Sequence, residues 1–243
     1  MAKRDIRIGT AGWGISSRYA GEFPGAGTHL RRYSLVLNGA EINSSFYRPH
    51  MRKTFERWAA STPRSFRFSA KLPKAITHDQ RLHDPDEILA RFADETAGLG
   101  DKLGVVLVQL PPGLTFEEPV AGAFFKSLAK RLFIPAVVEP RHRSWFTPEV
   151  DAWLAERRIA RAAADPIPAP HASEPGGWRG LTYIRLHGSP RMYYSAYEAP
   201  FITALRHRLE AEKVPAWVIF DNTAASAALG NALELREELK VTA

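Results

Sequence analysis

Short runs rich in Val, Ile and aromatic residues alternate with longer amphipathic stretches along almost the whole chain, and this alternation restricts the fold more than any other feature. The runs at 6–11, 39–44, 67–71, 105–110, 136–141, 161–165, 183–187 and 217–221 predict eight strands. Helical patterns lie between them at 28–37, 54–61, 85–99, 120–132, 148–157, 196–212 and 224–239, with start signals such as Asp84-Pro85 and Thr147-Pro148. Strands alternating with helices imply a parallel sheet, because each strand must return to the same end through a crossover. Eight such units predict an α/β fold of TIM type, a (β/α) barrel. A doubly wound open sheet would instead carry a Gly-rich phosphate turn after its first strand. GxGxxG is absent there, and Gly9, Gly12 and Gly14 have a different spacing. One unit is irregular. PIPAPHASEPGGWRG at 166–180 holds too much Pro and Gly for a helix, so a loop is expected after strand six, acting either as a lid or as a plain replacement of the missing helix.

At 243 residues with 45% hydrophobic content the chain can bury one substantial core, and one barrel domain over 1–243 is expected. MAKRDIRIGTAGW leads straight into a strand pattern, and no apolar run approaches the ~20 residues of a membrane helix, so no membrane association and a cytoplasmic location are expected. There is no cysteine, which excludes disulfides, thiolate zinc sites and a cysteine nucleophile. The net charge of +7 favours anionic partners, although the basic residues are scattered over helix faces rather than gathered in one arm. No GxSxG elbow supports a Ser/His/Asp triad, and His29, His50, His171 and His207 read as surface or core residues.

Strands of a parallel barrel are covered on both faces and read as continuous apolar runs, as GVVLVQL does at 104–110. Polar interruptions are therefore informative. Alternate residues share a face, and the interruptions fall on one parity: Glu41 with Asn43, Ser69 with Lys71, Glu139 with Arg141, and Arg185 with His187. Gln109, Asp165 and Asp221 are single cases. All sit toward the carboxyl ends of their strands, where barrel enzymes place their chemistry. Buried charges need partners, so these residues form either a pocket or a structural ion-pair network, or one serving both ends. Aromatic residues follow the same strand ends, at Trp13, Phe46-Tyr47, Trp145, Tyr193-Tyr194 and Tyr197, and could stack on a sugar ring or a base.

The segments IGTAGW (8–13), VLNGAEINSSFY (36–47), KLPKAITH (71–78) and VEPRHRSW (138–145) together resemble the family called domain of unknown function 72, or YecE-like. LVQLPP (107–112), YIRLHG (183–188) and FDN (220–222) extend the resemblance in order along nearly the whole chain. It implies a β/α barrel, at times irregular, and no settled activity. It also implies that Trp13, Glu41, Asn43, Tyr47, Lys71, Thr77, His78, Gln109, Glu139, Arg141, His142, Trp145, His187 and Asn222 match the family's signature polar and aromatic positions. Pro140 stands where the family has an aromatic residue and Asp221 where it has Asn, and GISSRYAGEFP lacks part of the family's aromatic run.

Three readings of function follow. The first is metal-independent acid–base chemistry on a sugar-like or phosphorylated small molecule. Glu139 and Glu41 would be acid and base, Arg141 and Lys71 would hold one of them ionised, and His187 would relay protons. Arg185 or the loop GSPRM would hold a phosphate. The second is a divalent-metal phosphodiesterase of the endonuclease-four type or a sugar isomerase. Glu41, Glu139, Asp165, Asp221 and His187 suffice for one hard ion, though Arg141, Arg185 and Lys71 would repel it. The third is a non-catalytic binder of nucleic acid or nucleotide. No cofactor is expected, and the partner expected first is an anionic or ring-bearing small molecule. Glu41, Glu139, Lys71 and His187 are the expected catalytic residues. The expected binding residues are Trp13, Asn43, Tyr47, Thr77, His78, Gln109, Arg141, His142, Trp145, Arg185 and Asn222.

Overall fold

The computed structural model describes residues 5–241; residues 1–4 and 242–243, the two ends of the expected domain, lie outside the described residues. Parallel strands β1 (Ile6–Thr10), β2 (Gly39–Ile42), β3 (Arg67–Lys71), β4 (Leu103–Gln109) and β5 (Ala136–Glu139) are followed by β6 (Ile159–Arg161) and β7 (Ala163–Asp165), two halves of one strand interrupted at Ala162. A two-residue β8 (Gly176–Gly177) precedes β9 (Thr182–Leu186) and β10 (Ala216–Phe220). One sheet runs β2-β3-β4-β5-β6-β8 and the other β1-β10-β9-β7. The sheets share the β6/β7 strand, and at the opposite seam Ala11 bridges Glu41 in parallel. The result is the irregular (β/α) barrel expected from the strand count, with its strands in chain order around the ring. The helices α1 (His29–Tyr33), α3 (Arg52–Ala60), α4 (Asp86–Thr96), α5 (Glu118–Arg131), α6 (Pro148–Glu156), α7 (Ala199–Ala211) and α8 (Ala227–Leu239) alternate with the strands. A single turn, α2 (Ser44–Tyr47), follows β2 directly.

The strand parity sorts the core. One set of alternating residues, including Ile6, Ile8, Ala40, Ile42, Val218 and Phe220, packs outward under the helices, and on the β3–β5 side Ala70, Val106, Val108 and Val138 do the same. The other set points into the barrel, where Val105, Leu107, Val137, Ala160, Ala162, Tyr183, Trp217 and Ile219 form a small inner core. Tyr183 and Trp217 stack at 6.2 Å between ring centres. Gly104 is the extra residue where the β3–β4 register shifts, and a Cβ there would lie 2.8 Å from the Trp217 ring. The bulge thus makes room for the indole that fills the inner core.

The β1–β2 seam has little ladder of its own and is stitched by a side chain. Asn38 donates from Nδ2 to the Ile6 carbonyl at 2.8 Å, and its Oδ1 accepts from the Ile8 N–H at 2.8 Å. Gly9 permits the approach, since a Cβ would fall 2.1 Å from the Gly39 carbonyl oxygen. Asn38→Leu strands two buried backbone groups and is expected to cost about 2 kcal/mol in urea unfolding; an unchanged midpoint would show that the seam is held by something else.

The 166–180 segment forms no helix, as its composition predicts. Its later part packs along the flank of the barrel: Gly176–Gly177 pairs antiparallel with β6, and Arg161 binds both Asp151 of α6 (2.8 Å) and the Glu174 carbonyl (3.3 Å). Its 174–177 part therefore stands where the missing helix would pack. No helix among the described residues is long and apolar enough to cross a membrane.

Candidate functional site

The inward parity that is apolar at one end of the barrel turns polar at the other. Glu41–Ser69, Gln109–Glu139 and Ile219–Arg185 are register pairs on neighbouring strands, so five strands, β2, β3, β4, β5 and β9, deliver charged or polar side chains toward the barrel interior. Arg185 is fully buried at its centre. Its Nε and Nη2 donate to the two oxygens of Glu41 at 3.0 and 2.7 Å, its Nη1 reaches Glu139 at 3.2 Å, and its Nη2 lies 3.1 Å from Asp221. Tyr183, below, donates to Glu41 at 3.1 Å and meets Ser69 at 2.9 Å. Burial alone would lower the Arg185 pKa, but Glu41, Asp221 and Glu139 together hold it well above its ordinary value. Burial and the adjacent Glu41 push the Tyr183 phenol well up.

His187, one step nearer the mouth on β9's parity, has none of its surface exposed. Its Nδ1 lies 3.0 Å from Asp221 Oδ2, and its Nε2 lies 2.8 Å from Glu139 Oε1 and 2.7 Å from Arg141 Nη2. Arg141 Nη2 also donates to Glu139 at 2.6 Å. Burial would raise the Glu139 carboxyl, yet Arg141, Arg185 and His187 hold it well below the usual carboxylate range; Asp221 is lowered by Arg185 and His187 against the same burial. Two protonation states fit this geometry. A neutral imidazole donates from Nδ1 to Asp221 and accepts at Nε2 from Arg141. An imidazolium donates to Asp221 and Glu139 at once. Arg141 thus competes with a proton for the same ring nitrogen.

Lys71 ends β3 at the mouth with 4% of its surface exposed. Its Nζ lies 3.9 Å above the Phe46 ring. Burial and the nearby Arg185 lower its pKa to about 8, against the opposing pull of Glu41, Glu139 and Asp221. His78 packs edge-on to Phe46 at 5.0 Å and is lowered by burial and by Lys71. His78 and the buried Thr77, hydrogen-bonded to each other at 2.9 Å, lie in a π-helical turn (Ala75–Asp79), an irregularity often found at functional sites. Tyr193 sets its ring edge against His187 at 5.9 Å.

The structure thus brings Glu41, Glu139, Arg141, Arg185 and His187 into one hydrogen-bonded cluster, with Lys71, Thr77 and His78 beside it. Other expected residues fall elsewhere. Trp145 is fully buried in the shell under the helices, donating to the Leu114 carbonyl at 2.9 Å and packing on Phe116, so it lies in the core and outside the cluster. His142 caps the turn that follows β5 through Ser144. Asn222 donates to Ser195 and Asn231 and ties α8 to the loop after β9. Tyr197 donates to Asp165 at 2.7 Å, which makes both a structural lock. Trp13 packs against Trp58 and Phe68, Tyr47 is 72% exposed, and Gln109 is partly exposed. Arg185, expected to hold phosphate, has its donors committed to internal carboxylates. The expected set omits Asp221, Ser69, Tyr183 and Phe46. Asp221 and Ser69 carry the parity signal and Phe46 the signal of aromatics at strand ends; a Tyr within a strand reads from sequence as packing.

The molecule is therefore a (β/α) barrel with a buried, ion-paired acid–base cluster at the carboxyl ends of its strands. The family model described as protein of unknown function DUF72 matches residues 7–243, and the chain belongs to that family. Among curated relatives, UPF0759 protein YunF of Bacillus subtilis is 28% identical over 149 residues, and UPF0759 protein YecE of Escherichia coli is 29% identical over 156. These matches span 53% and 56% of the relatives' own length and 59% and 61% of this chain. A crystal structure of a DUF72 family protein from Enterococcus faecalis superimposes with a TM-score of 0.82 at 20% identity, covering 98% of this chain and 96% of that one.

Proposed function

We propose that the protein is a metal-independent enzyme performing acid–base chemistry on a small sugar-like or phosphorylated molecule at the mouth of the barrel. The observation that carries this reading is the Asp221–His187–Glu139 chain: an imidazole enclosed between two carboxylates, with a mouth-side arginine at the nitrogen that faces Glu139. An anionic group on a ligand that draws Arg141 toward itself frees His187 Nε2 to take a proton and hydrogen-bond through it to Glu139. Ligand binding is then coupled to the protonation of a buried base. Glu139, held ionised, accepts the hydrogen bond of the protonated imidazole and is not the acid. Glu41 orients Arg185. Replacing such a network by apolar side chains of similar volume commonly stabilises a fold, so its presence is better accounted for by chemistry than by stability. A divalent-metal reading would need a cation to displace Arg185 and Arg141 from the same carboxylate oxygens, and no metal-holding group of three or more His, Asp or Glu side chains occurs among the described residues.

A thermal-shift panel of sugar phosphates, polyols and nucleotides, followed by NMR for turnover of each stabilising compound, tests the reading. The expected result is a saturable shift with a shallow salt dependence, retained in His187→Gln while turnover is lost. Compounds that stabilise wild type, Glu139→Gln and His187→Gln equally, with no turnover in any of the three, would overturn it.

A further inference from the structure

We propose that Lys71 is a nucleophile that forms an imine with a small hydroxylated aldehyde or ketone. The inference rests on the reading of the cluster as an active site, and gives it a covalent step. Its ground is a contrast among the buried cations. Arg185 is ion-paired to Glu41, Glu139 and Asp221, and Arg141 to Glu139. The Lys71 amine has no carboxylate oxygen within salt-bridge distance among the described residues, and its nearest described partner is the face of Phe46. A lysine needed to balance charge would be expected to reach a carboxylate, as its flexible stem allows. This one is held on a hydrocarbon surface at the mouth, in surroundings that favour the neutral amine, the form that attacks carbonyls.

The backbone around it is pinned. Ser45 Oγ lies 2.7 Å from the Lys71 carbonyl oxygen and 2.9 Å from that of Ile42, sharing its one proton between them, so the short turn carrying Phe46 is tied to the end of β3. Asn43 follows Ile42, the last residue of β2 paired to β3, just as Lys71 follows its partner Ala70, so both leave the ladder at the same strand ends. Asn43 Oδ1 is buried with no hydrogen-bond partner. An unpaired acceptor and an unpaired amine on residues that leave neighbouring strands suit a substrate with a hydroxyl next to its carbonyl: the carbon meets the amine and the hydroxyl donates to Asn43. In the step, the Nζ lone pair forms the C–N bond while the C=O π pair moves to oxygen. The nitrogen then loses its two protons, the oxygen gains two and leaves as water, and a C=N bond remains.

Glyceraldehyde, dihydroxyacetone and ribose, each incubated with the intact protein and sodium cyanoborohydride, supply the test through intact mass and peptide mapping. The expected result with at least one probe is a single adduct on the Lys71 peptide, lost in Lys71→Arg and reduced at least tenfold in Asn43→Leu at equal thermal stability. Adducts spread over exposed lysines such as Lys53, Lys126 and Lys213, with Lys71 unmodified, would overturn the inference. If His187→Gln retains ligand binding and loses turnover while Lys71 is never trapped, the imine fails and the acid–base reading stands. If Lys71 is trapped equally in wild type, Glu139→Gln and His187→Gln with no turnover in any of them, the imine stands and the acid–base reading fails.

Discussion

Arg185→Met is expected to lower stability by about 3 to 5 kcal/mol, because it removes the guanidinium shared by three buried carboxylates, Glu41, Glu139 and Asp221. The cost comes less from the lost attraction than from the charges left behind. Glu41 above all would be desolvated with only the Tyr183 hydroxyl as donor, and the cheapest relief is to bind a proton. The variant should therefore differ from wild type in the sign of its pH dependence. In wild type Glu139 and Asp221 have folded pKa values below their ordinary ones, so the stability they contribute is present above about pH 4.5 and is lost as pH falls through the folded values. In Arg185→Met, Glu139 keeps Arg141 and His187 and Asp221 keeps His187, but Glu41 is a buried charge without its cation, so stability should grow on acidification from pH 8 toward 5. Urea unfolding of both proteins across that range shows which holds. A second substitution, Glu41→Gln, should restore part of the loss in Arg185→Met while destabilising wild type. Strictly additive effects of the two changes would mean that the bidentate contact contributes nothing specific.

Lys71→Met is expected to act in the opposite direction. The folded pKa is lowered from 10.5 to about 8. Below pH 8 the amine is charged in both states, and the folded state bears the cost of burying it. Between about 8 and 10.5 the folded protein releases a proton that the unfolded chain keeps, so stability rises with pH in that window. The difference corresponds to roughly 3 kcal/mol. Met removes the buried charge and keeps the packing on Phe46, so at pH 7 the variant should be more stable by up to about 3 kcal/mol, raising Tm by about 6 to 12 °C. The gain should fade above pH 10. Ligand-dependent chemistry should disappear with it, the exchange of stability for activity expected where a site is built from strained electrostatics. A variant less stable than wild type at pH 7 would instead assign Lys71 to the ion-pair network as a structural counter-charge.

These expectations concern one layer of the barrel, and the parity of its strands made that layer visible before any coordinates. Glu41, Ser69, Lys71, Glu139, Arg141, Arg185 and His187 share a face by simple alternation, and on strands covered on both sides a polar residue on the inner face stands out. Where the side chain lies beyond the strand, the reading weakens. Trp145 and His142 follow β5 within a few residues of Glu139, yet the turn there directs the indole outward under the helices and uses the imidazole as a cap. Tyr197 and Asn222 look like mouth residues by position and turn out to fasten loops. Asp221 illustrates the converse. Its one-residue position past β10 gives it the right parity, but only the approach of β9 to β10 shows that it is the carboxylate paired with His187.

The sequence by itself determined the barrel, the count and order of its strands, the missing helix after the sixth, and the inner polar face, because periodicity and turn composition are local properties that hold wherever the chain goes. Only the tertiary structure decided which charges pair. The partners are separated by tens to more than a hundred residues, as with Arg185 and Glu41, and hydrogen-bond geometry depends on the register and tilt of strands that alternation leaves open. It also decided that Arg185 faces inward to carboxylates and not outward to a phosphate, and that Lys71 rests on Phe46 without an ion pair, since both depend on distances of a few ångströms set by closure of the ring.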